Sequence, residues 1–242
     1  MSTPTNAEME RGLGRIQQHD PASRNYPIPM GSAANAVRPP QDVTHRFTGD
    51  IRNQLTVGGC TYFAVGDYYS AHPFYRRAEK PLFTNEACFR GYAQETALDT
   101  IPGTWYFDGY NPDGSVKGHG DDTGSSSVGM WRVLKAQGLA SRAEWAFGLT
   151  HLLDALIDTP ICIGIPWKSA MFKPDSDGLV HYTGDTVGGH EITIMRCRVE
   201  TRRVLIPNHW GKDWGVRGWF SMTWEDLGQA LSDGGDAVRF IR

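Results

Sequence analysis

Helical patterns dominate the first part of the chain. A glycine pair, which permits a tight turn, precedes a mostly apolar and aromatic run that starts at Cys60. Pro73 disfavours helix at His72, so the run predicts a largely buried helix that begins at or just before Cys60 and ends near His72. Two further helices are predicted at Asn85–Leu98 and Val128–Gln137.

Strand patterns dominate after about residue 158. The segment Pro160–Trp167 is apolar and typical of a strand. Further strands are predicted at Glu191–Arg198, Arg203–Pro207, Val216–Met222 and Ala237–Ile241. Thr223 opens a helix-capping signature that predicts a short helix to Leu231. Helices followed by strands indicate an α+β protein, with a helical lobe before a β lobe.

The first forty residues carry little hydrophobic pattern, so residues 1–40 are expected to form an extended arm, with a short helix around Glu8–Gln18. The arm has too few apolar positions for a packed helical pro-segment, and we expect it to lie on the surface. A short apolar cluster in it, Tyr26, Ile28 and Met30, leaves contact with a cleft or a partner open.

The expected domain covers residues 41–242, with the helical lobe at about 55–158 and the β lobe at about 159–242. A loop rich in glycine and acidic residues is expected between Ile101 and Gly124. It contains Asp121 and Asp122, which we interpret as a solvated turn rather than a metal site.

Composition narrows the functional classes. A chain of 242 residues with 8 Trp, 9 Tyr and 10 Phe can bury a core, which excludes wholesale disorder. The net charge of −3 gives no reason to expect nucleic acid as a partner, and no apolar run reaches the length of a membrane span. Because the N-terminus lacks a signal-peptide core, a cytoplasmic or virion-associated location is expected rather than classical secretion. Four cysteines do not make a disulfide scaffold, and no cluster has zinc spacing, so neither a metal nor a cofactor is expected.

Candidate chemistry starts from Cys60. A thiol at a helix N-terminus faces unpaired backbone N–H groups and the positive end of the helix dipole, which favour the nucleophilic thiolate. His190 follows a glycine pair at the start of a strand, and Asn208 opens a stretch with tryptophan and glycine at fixed spacing that runs to Trp219. The other cysteines, of which Cys162 lies in an apolar strand, are interpreted as buried small hydrophobes.

These residues resemble the papain-like cysteine peptidases. That family has a glutamine six residues before the nucleophile, here Gln54, and a histidine that often follows Gly-Gly, as His190 does. Its asparagine stands in an N-S-W-G-x-x-W-G-x-x-G pattern, which Asn208 and the following residues match. The 130 residues between Cys60 and His190 fit the family spacing of roughly 130–150. The resemblance covers about residue 42 to the end and is strongest to the compact proteins of bacteria and phages.

The resemblance implies a two-lobed papain-like fold, with a barrel-like second lobe and a cleft between the lobes. It implies a cysteine-type endopeptidase in which His190 is the base and acid for Cys60, Asn208 orients the imidazole, and Gln54 donates to the oxyanion. The residues that are expected to contact a protein or peptide substrate are Gly124, Gly164 and Trp210, with Trp210 also sheltering the His190–Asn208 hydrogen bond.

Departures from the family pattern leave the substrate preference open. Thr61 replaces an aromatic residue, Glu191 replaces an alanine and should point away from the His190 face, and His209 replaces a serine. Two alternatives keep the scaffold but change its use: a hydrolase of cell-wall peptides, or a structural or binding component of a virus particle. For either, the arm would be the contact to a phage or bacterial assembly.

Overall fold

A computed structural model describes residues 11–17, 21–29, 37–75 and 83–242. The five α-helices of this part of the chain are α1 Cys60–Tyr69, α2 Asn85–Leu98, α3 Ser127–Ala136, α4 Leu149–Leu156 and α5 Trp224–Ser232. Its ten strands are β1 Val43–Thr44, β2 Trp105–Tyr110, β3 Val116–Gly120, β4 Arg142–Ala146, β5 Ile161–Lys168, β6 Thr186–Ile194, β7 Arg196–Arg198, β8 Arg203–Pro207, β9 Trp219–Thr223 and β10 Asp236–Ile241.

Three of the five described helices, α2, α3 and α5, begin at a side-chain cap that satisfies a backbone N–H group of the first turn. The Thr84 side chain accepts a hydrogen bond from the backbone N–H of Ala87 at the start of α2, and Ser126 serves α3 in the same way. The first helix has no such side-chain cap. It begins directly after Gly59, and all ten of its residues are buried. The α1 N-terminus is therefore held by the surrounding protein rather than by its own sequence.

Two open four-stranded sheets carry the β structure, with strand orders β1-β7-β8-β9 and β4-β10-β5-β6. The expected α+β, two-lobed architecture is confirmed, but the described residues form no closed barrel. The strand β4 lies within the segment expected to be helical, yet it pairs along its whole length with β10. The polar loop expected between Ile101 and Gly124 instead contains a third element, the antiparallel hairpin β2-β3.

Each lobe has its own hydrophobic core. One core gathers around α1, α2 and α3, and the other is built on β5, β6 and β8 with α4 and α5. In the first lobe, Arg52 pairs with Asp67 of α1 at 2.5 Å, with both side chains buried. The same guanidinium donates to the Phe83 carbonyl and to the Ser70 hydroxyl. This buried network fixes α1 against the chain that precedes it.

Residues 11–17 of the N-terminal arm pack against the protein, whereas most of the other described residues of the arm are exposed, as expected. Residues 11–17 are extended and contain no helix; the remainder of the helix expected around Glu8–Gln18 lies outside the described residues, as does Met30. The segment forms a parallel bridge between Arg15 and Ser125, and its backbone also bonds to Leu55 and Gly189. Residues 11–17 therefore contact both lobes.

Candidate active site

His190 and Asn208 form the centre of the site. His190 lies on β6, and Asn208 follows the last residue of β8. The Nε2 of His190 lies 2.9 Å from the Oδ1 of Asn208, and both side chains are buried. With Nε2 donating to this acceptor, Nδ1 is the nitrogen with a free lone pair; it is buried and has no hydrogen-bond partner.

Aromatic side chains enclose the imidazole of His190. Trp210 stacks on it with the ring centroids 4.8 Å apart, and Trp167 meets it edge-on at 4.9 Å. Trp167 is fully buried and packs in the hydrophobic core together with Met171. Because this enclosure removes water, it lowers the pKa of His190 to about 4, with the Asn208 hydrogen bond acting in the opposite direction.

Cys60 lies in the other lobe, on the helix that packs against the strand of His190. It is the first residue of α1, and α1 packs against β6. The Cys60 side chain is fully buried. Burial raises its pKa well above the usual range, although backbone N–H groups of Glu191 and Gly14 act to lower it. In this arrangement the thiol is neutral, so the thiolate expected from the helix start alone is not favoured while the site is covered.

Gln54 lies beside the start of α1 with its amide fixed at both ends. Its Nε2 donates to the Val57 carbonyl at 2.8 Å, and its Oε1 contacts the Nδ1 of His209. The Nε2 of His209 contacts the backbone carbonyl of Glu191 at 3.0 Å. His209 thus positions the Gln54 amide, a role that the sequence pattern did not reveal because His209 stands where the family has a serine.

The arm covers this constellation. Gly12 donates its N–H to the Leu55 carbonyl at 2.9 Å, and its own carbonyl accepts from the indole N–H of Trp210 at 3.1 Å. The N–H groups of Gly14 and Arg15 both donate to the Gly189 carbonyl, at 3.1 and 3.0 Å. Residues 12–15 therefore lie against the turn before Cys60 and against the residue before His190, and Cys60 is fully buried beneath this part of the structure.

The three positions expected to contact a substrate all meet the arm. Trp210 bonds to Gly12, as described above. A Cβ on Gly124 would lie 2.0 Å from the carbonyl oxygen of Gly14, and a Cβ on Gly164 would lie 2.4 Å from the Nε of Arg15. These contacts require a backbone without a side chain at both glycines, and they outline a groove that is occupied by the extended residues 12–15.

Two acidic features near the site have contacts that the sequence did not reveal. Asp122 is exposed, as expected, but it also accepts hydrogen bonds from the Gly58 N–H at 2.9 Å and the Tyr92 hydroxyl at 2.6 Å, which fix the turn before α1. Glu191 and Asp236 lie at the side of the groove where Arg15 enters. Their nearness follows from strand pairing across 45 residues, which leaves no local signal in the sequence.

The described residues hold no cluster of three or more potential metal ligands. All four cysteines are buried and free of disulfides. Within the same ranges, no helix combines the length and the hydrophobicity that a bilayer crossing requires.

Two lobes that bring a thiol at a helix start to a histidine–asparagine pair define the papain-like fold, and comparison with solved structures confirms this class. Xylellain, a cysteine protease from Xylella fastidiosa, superposes with a TM-score of 0.65 at 16% identity, over 96% of this chain and 97% of that protein. Procathepsin L2 from Tenebrio molitor gives 0.60 at 13% identity, covering 99% of this chain and 81% of that one. Procathepsin B S9 from Trypanosoma congolense gives 0.57 at 12% identity, covering 98% and 88%.

Sequence comparison agrees over a shorter region. A cathepsin B-like cysteine proteinase from Schistosoma japonicum is 41% identical over 58 residues, which are 23% of this chain and 15% of that protein. No protein-family model matches the chain. The chain therefore has the papain-like fold, and its resemblance to papain-like cysteine proteases extends from the sequence motifs to the whole structure.

Proposed function

We propose that the protein is a cysteine-type endopeptidase that acts on protein or peptide substrates. The observation that carries this proposal is the His190–Asn208 hydrogen bond, because it occupies one imidazole nitrogen and leaves the other, which is buried and unpartnered, to accept the thiol proton of Cys60. The similarity of the whole fold to cysteine proteases supports the same conclusion.

In the proposed reaction, His190 takes the proton of Cys60, and the thiolate sulfur attacks the carbonyl carbon of the scissile bond. The negative charge that develops on the carbonyl oxygen accepts hydrogen bonds from the Gln54 side-chain amide and the Cys60 backbone N–H. When the carbon–nitrogen bond breaks, the protonated His190 gives its proton to the leaving amine. Water activated by His190 then hydrolyses the thioester and restores the thiol. Asn208 keeps the ring oriented through both steps.

The described arrangement is a closed form of this enzyme. Residues 12–15 occupy the groove, so a peptide reaches Cys60 only after the arm leaves. Exposure to water also reverses the main cause of the raised pKa of Cys60, which is burial, and restores the influence of the helix start.

The proposal is tested with the full chain carrying Gly14→Ala, a change that displaces the arm because the new Cβ would lie 1.8 Å from the Gly58 carbonyl oxygen. This protein should hydrolyse an unstructured peptide, and adding Cys60→Ala should abolish hydrolysis with the fold retained. Cys197→Ala, which removes another buried thiol, is the matched control and should leave hydrolysis unchanged. Hydrolysis that survives Cys60→Ala would contradict the assignment.

A further inference from the structure

The arm places one basic side chain in a buried acidic pocket. The Arg15 side chain is only 2% exposed, and its Nη2 pairs with the Oδ1 of Asp236 at 2.7 Å and donates to the Gly234 carbonyl at 3.0 Å. Its Nε is buried and has no hydrogen-bond partner. An arginine this deeply buried at the end of an extended segment is unusual, because burying a guanidinium costs free energy unless carboxylates surround it.

Three adjacent strands build the pocket. Gly164 on β5 pairs in register with Glu191 on β6 and with Asp236 on β10. A Cβ on Gly164 would lie 2.5 Å from a carboxylate oxygen of Glu191 and 2.6 Å from the Oδ1 of Asp236. The space for the guanidinium therefore exists because residue 164 has no side chain. Glu191 is itself fully buried, and the nearest hydroxyl, that of Ser127, lies 3.4 Å from it.

The pocket presents two carboxyl groups, those of Asp236 and Glu191, to a cation. Burial and the neighbouring Asp236 raise the pKa of Glu191 well above its usual range, while Arg15 acts in the opposite direction. When Arg15 leaves, two carboxyl groups remain close together with no cation facing them. A neutral apolar side chain would leave both carboxyl groups buried and unpaired, whereas an arginine or lysine side chain would compensate them.

The pocket lies one residue away from the thiol. Gly14 packs against the turn that precedes Cys60, since a Cβ on it would lie 1.8 Å from the Gly58 carbonyl oxygen, and the next residue, Arg15, sends its side chain into the pocket. The other end of the arm segment, at Gly12, lies beside Gln54 and Trp210. The pocket and the proposed oxyanion donor therefore lie on opposite sides of Cys60 along the groove.

We propose that this pocket determines substrate specificity: it binds a basic side chain, arginine above all, on the substrate residue that precedes the scissile residue, and Arg15 of the arm occupies it in the closed form. Asp236 and Glu191 are the recognition groups, and Gly164 gives them access. This inference rests on the proposed peptidase activity.

The test compares fluorogenic dipeptide amides whose first residue is arginine, citrulline or leucine and whose second residue is constant. Citrulline has the shape of arginine without its charge, so the ratio of kcat/KM for arginine over citrulline isolates the charge. In the full chain carrying Gly14→Ala, we expect arginine to exceed citrulline by about 10- to 100-fold, the range given by hydrogen bonds to charged groups. Asp236→Asn should lower that ratio by about tenfold.

Asp113→Asn is the matched control, because it removes the same charge from an exposed carboxylate in the turn between β2 and β3. It should leave the ratio within about twofold. Equal rates for arginine and citrulline, a preference for leucine, or an equal effect of Asp113→Asn would overturn the inference. The substrate comparison is made within one protein, so it decides even where Asp236→Asn does not fold. Failure to hydrolyse any of the amides, together with no alkylation of Cys60, would instead overturn the peptidase proposal and this inference with it.

Discussion

The substitution Gly14→Ala tests how firmly the arm covers the thiol. A methyl group at this position would lie 1.8 Å from the Gly58 carbonyl oxygen and 2.4 Å from its carbon, both of which are backbone atoms that cannot rotate away. The arm must therefore move. Three hydrogen bonds depend on the present position: from the Gly14 and Arg15 N–H groups to the Gly189 carbonyl, and from the Ser125 N–H to the Gly14 carbonyl.

At about 1 kcal/mol for each net hydrogen bond, their loss weakens the covered state by about 3 kcal/mol. This corresponds to a rise of about a hundredfold in the population with an open groove. The second-order rate of Cys60 alkylation by iodoacetamide, followed by peptide mass mapping, should rise by the same factor. The other three cysteines serve as internal references, since they are buried in the protein and not under the arm.

The matched control is Gly228→Ala, on α5, where the added methyl group would meet only Leu149 at an ordinary distance of 3.6 Å. It should leave Cys60 alkylation unchanged. A rate for Gly14→Ala within about threefold of the parent would refute the reasoning, because the arm would then not control access to the thiol. A parallel rise at Cys88 or Cys162 would refute it differently, by showing general loosening of the fold.

Three further predictions concern the site and its support. In the Gly14→Ala background, Gln54→Ala should lower kcat by roughly 10²–10³ with little change in KM, since its amide acts only on the developing oxyanion; a steady-state assay that finds kcat unchanged would remove it from the site. Because burial lowers the pKa of His190 to about 4, the unfolded chain binds a proton between pH 6.5 and 4 that the folded chain does not. As the pH falls through this window, chemical denaturation should show that the free energy of unfolding of the parent decreases by about 2–3 kcal/mol more than that of His190→Gln. Equal decreases in the two proteins would contradict the burial of a neutral imidazole. Arg52→Met leaves Asp67 buried without its cation and should lower the free energy of unfolding by about 3–5 kcal/mol. A decrease below about 1 kcal/mol would show that the pair is not buried in solution.

Much of the helical lobe was predictable because its signals are local. The α2 helix has the predicted bounds, Asn85–Leu98. Its start is set by the neighbouring Thr84, whose side chain caps the helix, so the signal lies within a short stretch of the chain. The hairpin β2-β3 was missed because its strands are short and rich in glycine, and only Trp105 of β2 is fully buried. The pairing of β4 with β10 joins residues about a hundred positions apart, for which the sequence carries no pattern.

The candidate site divides in the same way. Cys60, Gln54, His190 and Asn208 could be named as candidates from the sequence because each stands in a short motif whose spacing is visible in the chain. The covering arm and the pocket of Arg15 were not found, since they depend on backbone contacts between residues 12–15 and residues near 55, 125, 189 and 236. The sequence predicts that Glu191 faces away from His190, but it does not predict which groups Glu191 contacts. Those groups are determined by the pairing of β5, β6 and β10.

The direction in which Gly14 lies over the thiol has a consequence for self-cleavage. The N–H of Gly14 donates to the Gly189 carbonyl at 3.1 Å, and its carbonyl oxygen accepts from the Ser125 N–H at 2.8 Å. The carbonyl oxygen is thus already engaged by a group other than the proposed oxyanion donor Gln54. A peptide that copies residues 11–17 would bind in the same groove with the same hydrogen bonds, and we expect it to inhibit hydrolysis without being cut.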